Sequence, residues 1–178
     1  MEAADEQLML AYRGGDAAAF EALYSRHRGR LFRFVLRSVK SRAAAEELFQ
    51  DIWMRVIEAR SRYAARARFT TWLYAIAHNR LVDHWRRSGL STVSIDEDAD
   101  LPGSSPDPAQ QVAARQSLAR FAAALEALPP AQREAFLLYE EAGLSIAEIA
   151  AATGANEEAA KSRLRYALAK LKAAVSDG

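Results

Sequence analysis

The stretch from residue 89 to residue 112 is the feature that most constrains how this chain can fold. It contains three Pro, two Gly and five acidic residues, and it has neither Lys nor Arg. Such a segment cannot bury enough apolar surface to offset the conformational entropy lost on ordering. The sequence therefore predicts a flexible acidic linker over 89–112, which joins a domain at 1–88 to a domain at 113–178.

Apolar residues on both sides of this linker recur at helical spacing, and no segment shows the alternation of a strand. In the first part, Asp16 and Ser41 are candidate N-caps, and a long helix is expected from Thr70. In the second part, Pro130 suits the first turn of a helix. We expect an all-α fold with two small domains, an N-terminal helical bundle and a C-terminal helix-turn-helix domain.

The C-terminal part has the pattern of a helix-turn-helix. A capping box at 145–148 opens a short helix, Thr153-Gly154 ends it, and Asn156 can cap the last helix. Five basic residues stand against two acidic ones over 156–172, which suits contact with phosphates. The alternative is an ordinary amphipathic hairpin with a solvated charged face. The last helix has an apolar stripe formed by Ala160, Leu164, Ala167, Leu168 and Leu171.

Residues 60–87 carry seven Arg and one acidic residue, Asp83, and they also hold five aromatic side chains. Arginines can contact phosphates while aromatic rings stack on unpaired bases, so this segment favours binding to strand-separated DNA. The alternative is that the aromatics, above all Trp72 and Tyr74, belong to the core and that the arginines are solvated.

An acidic patch precedes residues 60–87 on one predicted helix, with Trp53 close to Glu46, Glu47 and Asp51. Carboxylates repel phosphate, so a surface Trp among them indicates a protein partner. A solvated acidic face over a buried Trp is the alternative.

The composition disfavours several other classes of protein. The 178 residues have a formal net charge of +1 and include no cysteine, which excludes disulfides and thiol chemistry. No Gly-rich phosphate loop or nucleophile elbow occurs, and His78 and His84 are spaced too far around a helix to share a metal. We expect no catalytic activity and no cofactor. Without a signal pattern or an apolar run of about 20 residues, we expect a cytoplasmic protein with no membrane insertion.

Four stretches, in this order, resemble the extracytoplasmic-function (ECF) branch of the sigma-70-like family of bacterial sigma factors. DAAAFEALYSRHRGRLFRFVLR is similar to the family's opening core-binding helix, and AAAEELFQDIWMRVIEA to the helix that binds the polymerase β′ clamp helices. FTTWLYAIAHNRLVDHWRR resembles the part that melts and reads the minus-10 element. The stretch from LEALPP to ALAKLK resembles the domain that reads the minus-35 element.

This resemblance implies a role for each matching residue. The implied contacts with core polymerase are Glu46, Glu47, Gln50, Asp51 and Trp53. The implied contacts with minus-10 DNA are Arg60, Arg62, Tyr63, Arg66, Arg68, Trp72, Asn79, Arg80, Asp83, Arg86 and Arg87. The implied contacts with minus-35 DNA are Lys161, Ser162, Arg163, Arg165 and Tyr166.

The resemblance also implies partners: core RNA polymerase through its β′ clamp helices and β flap, promoter DNA, and an anti-sigma factor or other protein regulator. The chain ends soon after Val175, so we expect no regulatory extension at that end. One departure is the pair Glu157 and Glu158, which stands at the start of the recognition helix where the family usually has small residues. These carboxylates stabilise the helix N-terminus but also lie where phosphate would approach.

Two rival functions remain open from the sequence. One is a helix-turn-helix regulator that binds duplex DNA without polymerase and senses a ligand or dimerises through its N-terminal half. The other is an interaction module whose Arg-rich helix binds an acidic protein. The sigma interpretation predicts weak DNA binding alone and promoter-specific transcription once core polymerase is added.

Overall fold

The structure is a computed structural model that describes residues 1–89 and 108–176. Four helices precede the gap between these ranges and four follow it. The first four are α1 (Asp5–Arg13), α2 (Ala17–Val39), α3 (Arg42–Ala59) and α4 (Phe69–Ser88), with a 3-10 turn at Arg60–Arg62 between α3 and α4. The last four are α5 (Pro108–Ala127), α6 (Pro130–Glu140), α7 (Ile146–Thr153) and α8 (Glu157–Ser176). The described residues contain helices and no strand, as the periodicity predicts.

The helix starts lie where the capping residues predict them. Asp16 accepts hydrogen bonds from the backbone N–H groups of Ala18 and Ala19, and the Ser41 hydroxyl accepts one from Ala44. Ser145 and Glu148 form the expected reciprocal capping box. Each cap satisfies backbone donors that the first turn of a helix leaves unpaired, and a cap of this kind contributes about 1 kcal/mol.

The linker prediction over 89–112 needs a correction at its C-terminal end. Residues 90–107 lie outside the described range, but Pro108 to Val112 form the first turn of α5. Proline is tolerated there because backbone N–H groups in the first turn of a helix have no hydrogen-bond acceptor within the helix, so the missing N–H of proline costs no hydrogen bond. The Ala and Gln residues that follow Pro108 have good helix propensity, so this helix begins five residues before the predicted domain boundary at 113.

Helices α1–α4 enclose a core of large apolar side chains. Met9, Leu23, Phe34, Ile52 and Phe69 have no exposed surface. Burial of each such side chain contributes about 1.5–3 kcal/mol before the entropy cost is subtracted. On α4, Leu73 and Leu81 have no exposed surface and Tyr74 is also buried, which confirms the core alternative for Tyr74.

Helices α5–α8 form a second helical unit, whose core is built chiefly from leucines and alanines of α6, α7 and α8. Leu168, expected in the apolar stripe of α8, is 41% exposed because Ala167 and Leu171 take the inward positions on either side of it. The turn between α7 and α8 has Gly154 in the left-handed region, with φ 67°. This turn sets α8 as the second helix of the predicted helix-turn-helix.

The two helical units contact each other: α4 packs against α7, and α2 packs against α6. None of the described helices has the length and apolar character that a crossing of a membrane needs.

Candidate nucleic-acid and protein interfaces

One face of α3 presents carboxylates and an amide to solvent. Glu46, Glu47 and Gln50 are exposed, and Asp51 is half-buried beside them. Glu46 also forms an i, i+4 ion pair with Arg42, with 3.3 Å between Nε and Oε1. The exposed Met54 lies one turn beyond Gln50 on the same helix, so this face combines negative charge with an apolar contact. Such a surface suits a protein partner better than nucleic acid.

Trp53 does not lie on this surface, which corrects the prediction that it contacts a partner. Its side chain is only 5% exposed, and its ring lies 5.1 Å from the ring of Tyr24 and 5.9 Å from that of Phe20. The aromatic residues of α2 cover it, so the buried-Trp alternative describes this position. The large ring of Trp53 packs α3 against α2, and this is the structural role of the residue.

The segment between α3 and α4, residues 60–68, is called the basic segment below. It presents four exposed guanidinium groups, on Arg60, Arg62, Arg66 and Arg68. No acidic residue lies between them in the chain. The guanidinium of Arg60 sits over the Tyr12 ring, 5.2 Å from its centroid. This basic segment is short and anchored at both ends by helices, which suits contact with a phosphate backbone.

Tyr63 lies within the same segment but is buried, so the prediction that its side chain contacts DNA is wrong. Its ring packs 5.0 Å from that of Trp72 and 6.4 Å from that of Phe69. Burial raises the pKa of its hydroxyl, and the negative charges of Glu6 and Asp5 raise it further. Arg13 donates a hydrogen bond to the Tyr63 carbonyl, so this residue anchors the loop to α1. Trp72 is half-buried, and its remaining surface is open to solvent.

Along α4, the predicted DNA-facing residues separate into two groups. Asn79, Arg86 and Arg87 are exposed, and Asp83 is half-buried. Arg80 is only 7% exposed, so the prediction that it contacts DNA directly is wrong. It turns towards α3, where its guanidinium pairs with the carboxylate of Asp51.

The recognition helix α8 presents its predicted residues to solvent. Lys161, Arg165 and Tyr166 are exposed, while Ser162 and Arg163 are half-buried. The guanidinium of Arg165 lies 5.4 Å from the centroid of the Tyr166 ring, so the two side chains form one cationic and aromatic surface.

The first turn of α8 adds negative charge beside this surface. Glu157 and Glu158 are both exposed there. The Asn156 side chain caps the helix by accepting a hydrogen bond from Ala159, so the helix has a neutral cap as well as these two charges. The two glutamates are therefore not the only stabilising feature at this helix end.

A third cluster, which the sequence patterns did not reveal, lies between the two helical units. Here three glutamates of the C-terminal unit meet basic or hydroxyl groups of the N-terminal unit. The pairs are Glu134 with His78, Glu141 with Arg33 and Arg37, and Glu148 with Arg68 and Thr71. These partners lie more than 50 residues apart in the chain, and no spacing rule connects them.

Glu148 illustrates the electrostatics of this cluster. Burial alone raises the pKa of its carboxyl group, but hydrogen bonds from Thr71 and Ser145 and the charge of Arg68 outweigh burial and lower it. The carboxylate thus stays ionised and neutralises an arginine of the basic segment. Among residues 1–89 and 108–176, no group of three or more His, Asp or Glu side chains is arranged to hold a metal ion.

Sequence comparison identifies two family matches at the positions of these surfaces. The family described as Sigma-70 region 2 matches residues 23–90, which include the acidic face of α3, the basic segment and α4. The family described as Sigma-70, region 4 matches residues 118–171, which include α7 and most of α8.

Individual relatives match along almost the whole chain. RNA polymerase sigma factor CarQ of Myxococcus xanthus is 36% identical over 166 residues, which cover 92% of this chain and 93% of CarQ. ECF RNA polymerase sigma factor SigF of Caulobacter vibrioides is 32% identical and covers 92% and 89%. Among solved structures, CnrH in complex with the cytosolic domain of CnrY matches with a TM-score of 0.72 at 26% identity, covering 96% of both chains.

Proposed function

Because the chain belongs to the ECF branch of the sigma-70 family, we propose that it binds core RNA polymerase and directs promoter-specific initiation of transcription. The observation that carries this proposal is the likeness to sigma factors over 92% of the chain, which includes both helical units. A helix-turn-helix regulator that acts without polymerase is not favoured, because the N-terminal half matches a sigma region and not a ligand-sensing or dimerisation domain.

We assign polymerase binding to the exposed acidic face of α3, centred on Glu46, Glu47 and Gln50. The β′ clamp helices are the proposed partner of this face, and the β flap the proposed partner of the C-terminal unit. The assignment is supported by local charge: Glu46 and Glu47 are exposed on this face of α3, whereas four exposed arginines follow between α3 and α4 and two more end α4.

We assign minus-10 recognition to the basic segment and the exposed residues of α4, and minus-35 recognition to α8. Residues 1–88 form the proposed region 2 and the C-terminal unit, starting at Pro108, the proposed region 4. The proposed minus-10 contacts are Arg60, Arg62, Arg66, Arg68, Trp72, Asn79, Asp83, Arg86 and Arg87. The proposed minus-35 contacts are Lys161, Ser162, Arg163, Arg165 and Tyr166.

A protein regulator is a further proposed partner. The matched structure of RpoE from Bartonella quintana, at 24% identity and a TM-score of 0.70, holds that protein together with the anti-sigma factor NepR. That likeness concerns the fold alone, and a regulator that covers both DNA-reading surfaces is our proposal for this chain. We further propose that the protein acts in the cytoplasm and has no catalytic role.

Run-off transcription with purified core polymerase tests the function. We expect the chain to produce transcripts of defined start from a genomic promoter library, with none from core alone. Tight binding to duplex DNA without polymerase, with no transcripts after core is added, would support the helix-turn-helix regulator instead.

The acidic start of α8 gives a prediction for minus-35 binding. Replacing Glu157 and Glu158 by Gln removes two negative charges beside the approaching phosphates, each worth up to about 1 kcal/mol at 4 Å in water. We expect the reconstituted holoenzyme to bind minus-35 promoter DNA about five-fold more tightly at low salt. Filter binding against salt concentration measures this, and the gain should shrink as ionic strength rises.

Glu140→Gln is the matched control, because Glu140 is also exposed but lies on α6. It should leave the affinity unchanged. Equal affinities of the double variant and the unmodified protein would show that the two glutamates lie away from the DNA backbone.

A further inference from the structure

Arg80 connects two surfaces that we assign to different partners. Its Nη2 lies 2.7 Å from Oδ2 of Asp51 on the polymerase-facing helix α3, and its Nη1 lies 3.5 Å from Oδ2 of Asp83 on α4. We propose that Arg80 is a positioning residue, which fixes the DNA-reading helix α4 against α3 and thereby couples polymerase docking to promoter opening. This proposal rests on the proposed function and goes beyond it.

The burial of Arg80 separates it from the other arginines of the N-terminal unit. Its side chain is 9% exposed, whereas Arg86 and Arg87 on the same helix are exposed. A guanidinium that leaves water costs several kcal/mol unless it is paired, so its two carboxylate partners are a requirement for the packing of α4 on α3. Loss of Asp51 leaves this buried charge with only the longer contact to Asp83.

The same carboxylates argue against a phosphate contact. A phosphate close enough to reach the Arg80 guanidinium would approach Asp51 and Asp83, whose side chains are 44% and 40% exposed. The like charges would repel, and two nitrogens of the Arg80 guanidinium, Nη2 and Nη1, already face the two carboxylates, while its Nε is buried. Arg80 is thus oriented towards the junction of the two helices and not towards DNA.

The surroundings place further groups of both surfaces at this junction. A shallow groove beside the Arg80–Asp51 pair is lined by Met54 and Glu58 of α3 and by Arg87 of α4. The pKa of His84 is lowered by burial and then by the positive charge of Arg80, while the negative charge of Glu47 acts in the opposite direction. A displacement of α3 on binding to polymerase therefore reaches α4 through the ion pair of Arg80 and Asp51.

A double-mutant cycle on Arg80 and Asp51 tests the coupling. We expect Arg80→Met and Asp51→Asn each to lower open-complex formation by about ten-fold, and the double variant to be no worse than either alone. Residues that contact DNA and polymerase independently would instead give multiplied effects. Arg80→Lys should restore part of the activity. Arg55→Met is the matched control, because Arg55 lines the same groove, is exposed and has no assigned role.

The salt dependence of promoter binding distinguishes positioning from a DNA contact. Loss of one phosphate contact reduces the slope of log affinity against log salt by about 0.9. We expect Arg87→Gln to reduce the slope by about this amount and Arg80→Met to leave it unchanged. A reduced slope for Arg80→Met, or additive effects in the cycle, would overturn the proposal while the proposed function stands. Failure of the unmodified chain in run-off transcription would overturn both.

The three glutamates between the helical units support a second proposal independently. Glu134 Oε1 lies 2.5 Å from Nδ1 of His78, and Glu148 accepts a hydrogen bond of 2.9 Å from the Thr71 hydroxyl. Glu148 also pairs with Arg68, which we assign to minus-10 DNA. We propose that this arrangement is a closed state, in which the C-terminal unit occupies Arg68, a residue of the N-terminal unit that contacts DNA in the open state.

The strength of these contacts suits a state that opens. Exposed ion pairs contribute little, and the Arg68 and Arg33 partners of Glu148 and Glu141 are more than half exposed. The Glu134 carboxylate is buried and is the firmer contact. The acidic face of α3 takes part in none of these ion pairs and remains exposed in the closed state, so polymerase can bind it before the units separate.

Reversal of charge at Arg33 and Arg37 tests the closed state. Both side chains are about half exposed and pair with Glu141, which is largely buried. We expect Arg33→Glu with Arg37→Glu to lower energy transfer between dyes on the two units of the free protein, and added Glu141→Arg to restore it. Unchanged transfer in the first variant, or no restoration in the second, would exclude the closed state. Circular dichroism should show the same helix content in all three proteins.

Discussion

Replacing Arg86 and Arg87 by Glu is expected to abolish promoter opening while binding to core polymerase is retained. Both side chains are exposed in the last turn of α4, and the change replaces two positive charges by two negative ones. Each phosphate contact contributes a counterion-release step to DNA affinity, and each introduced carboxylate adds repulsion. We expect open-complex formation to fall more than about 100-fold, measured by run-off transcription with a fixed amount of core polymerase.

The choice of control decides what this result means. Glutamate near a helix C-terminus also costs about 0.3–1 kcal/mol through the helix dipole, so thermal unfolding of the variant must be measured as well. Arg115→Glu with Arg120→Glu makes the same change of charge on α5, outside the surfaces assigned to DNA. That control should transcribe normally. Equal losses in both variants would point to net charge, and a loss of core binding would support the module that binds an acidic protein.

Local features of the fold could be predicted from the sequence because their causes are local. A capping residue such as Asp16 or Ser145 satisfies backbone groups two or three residues away, so the sequence alone places the helix start. The predicted C-terminal end of the linker is wrong although its cause is also local. Proline at 108 resembles a helix breaker in the sequence, but proline in the first turn of a helix is favourable.

The roles of single side chains depend on contacts that no local pattern contains. Arg80 and Arg87 have the same chemistry and lie on the same helix, yet one faces α3 and the other faces solvent. Trp53 and Tyr63 look like interface residues in the sequence, since they stand among charges. Their burial depends on Tyr24 and Trp72, which the fold brings to them. Charge pattern could therefore predict the surfaces but not their individual members.

Charge reversal on α3 is the second change for which we expect a large effect. Glu46→Lys with Glu47→Lys places two positive charges on the proposed polymerase-binding face, where like charges opposed across an interface cost several kcal/mol. We expect the affinity for core polymerase to fall about 100-fold, measured by fluorescence anisotropy of labelled protein. The fold should survive, because both residues are exposed and the lost pair with Arg42 is worth only about 0.5 kcal/mol.

The control for this change is Glu2→Lys, a charge reversal at an exposed position away from both α3 and the C-terminal unit. Its affinity for core polymerase should match that of the unmodified protein. Because the reversal leaves the basic segment and α8 intact, any DNA binding by the free chain should persist. Normal association of the α3 variant with core polymerase would refute the assignment of this face. A parallel loss in the control would instead indicate long-range attraction by net charge.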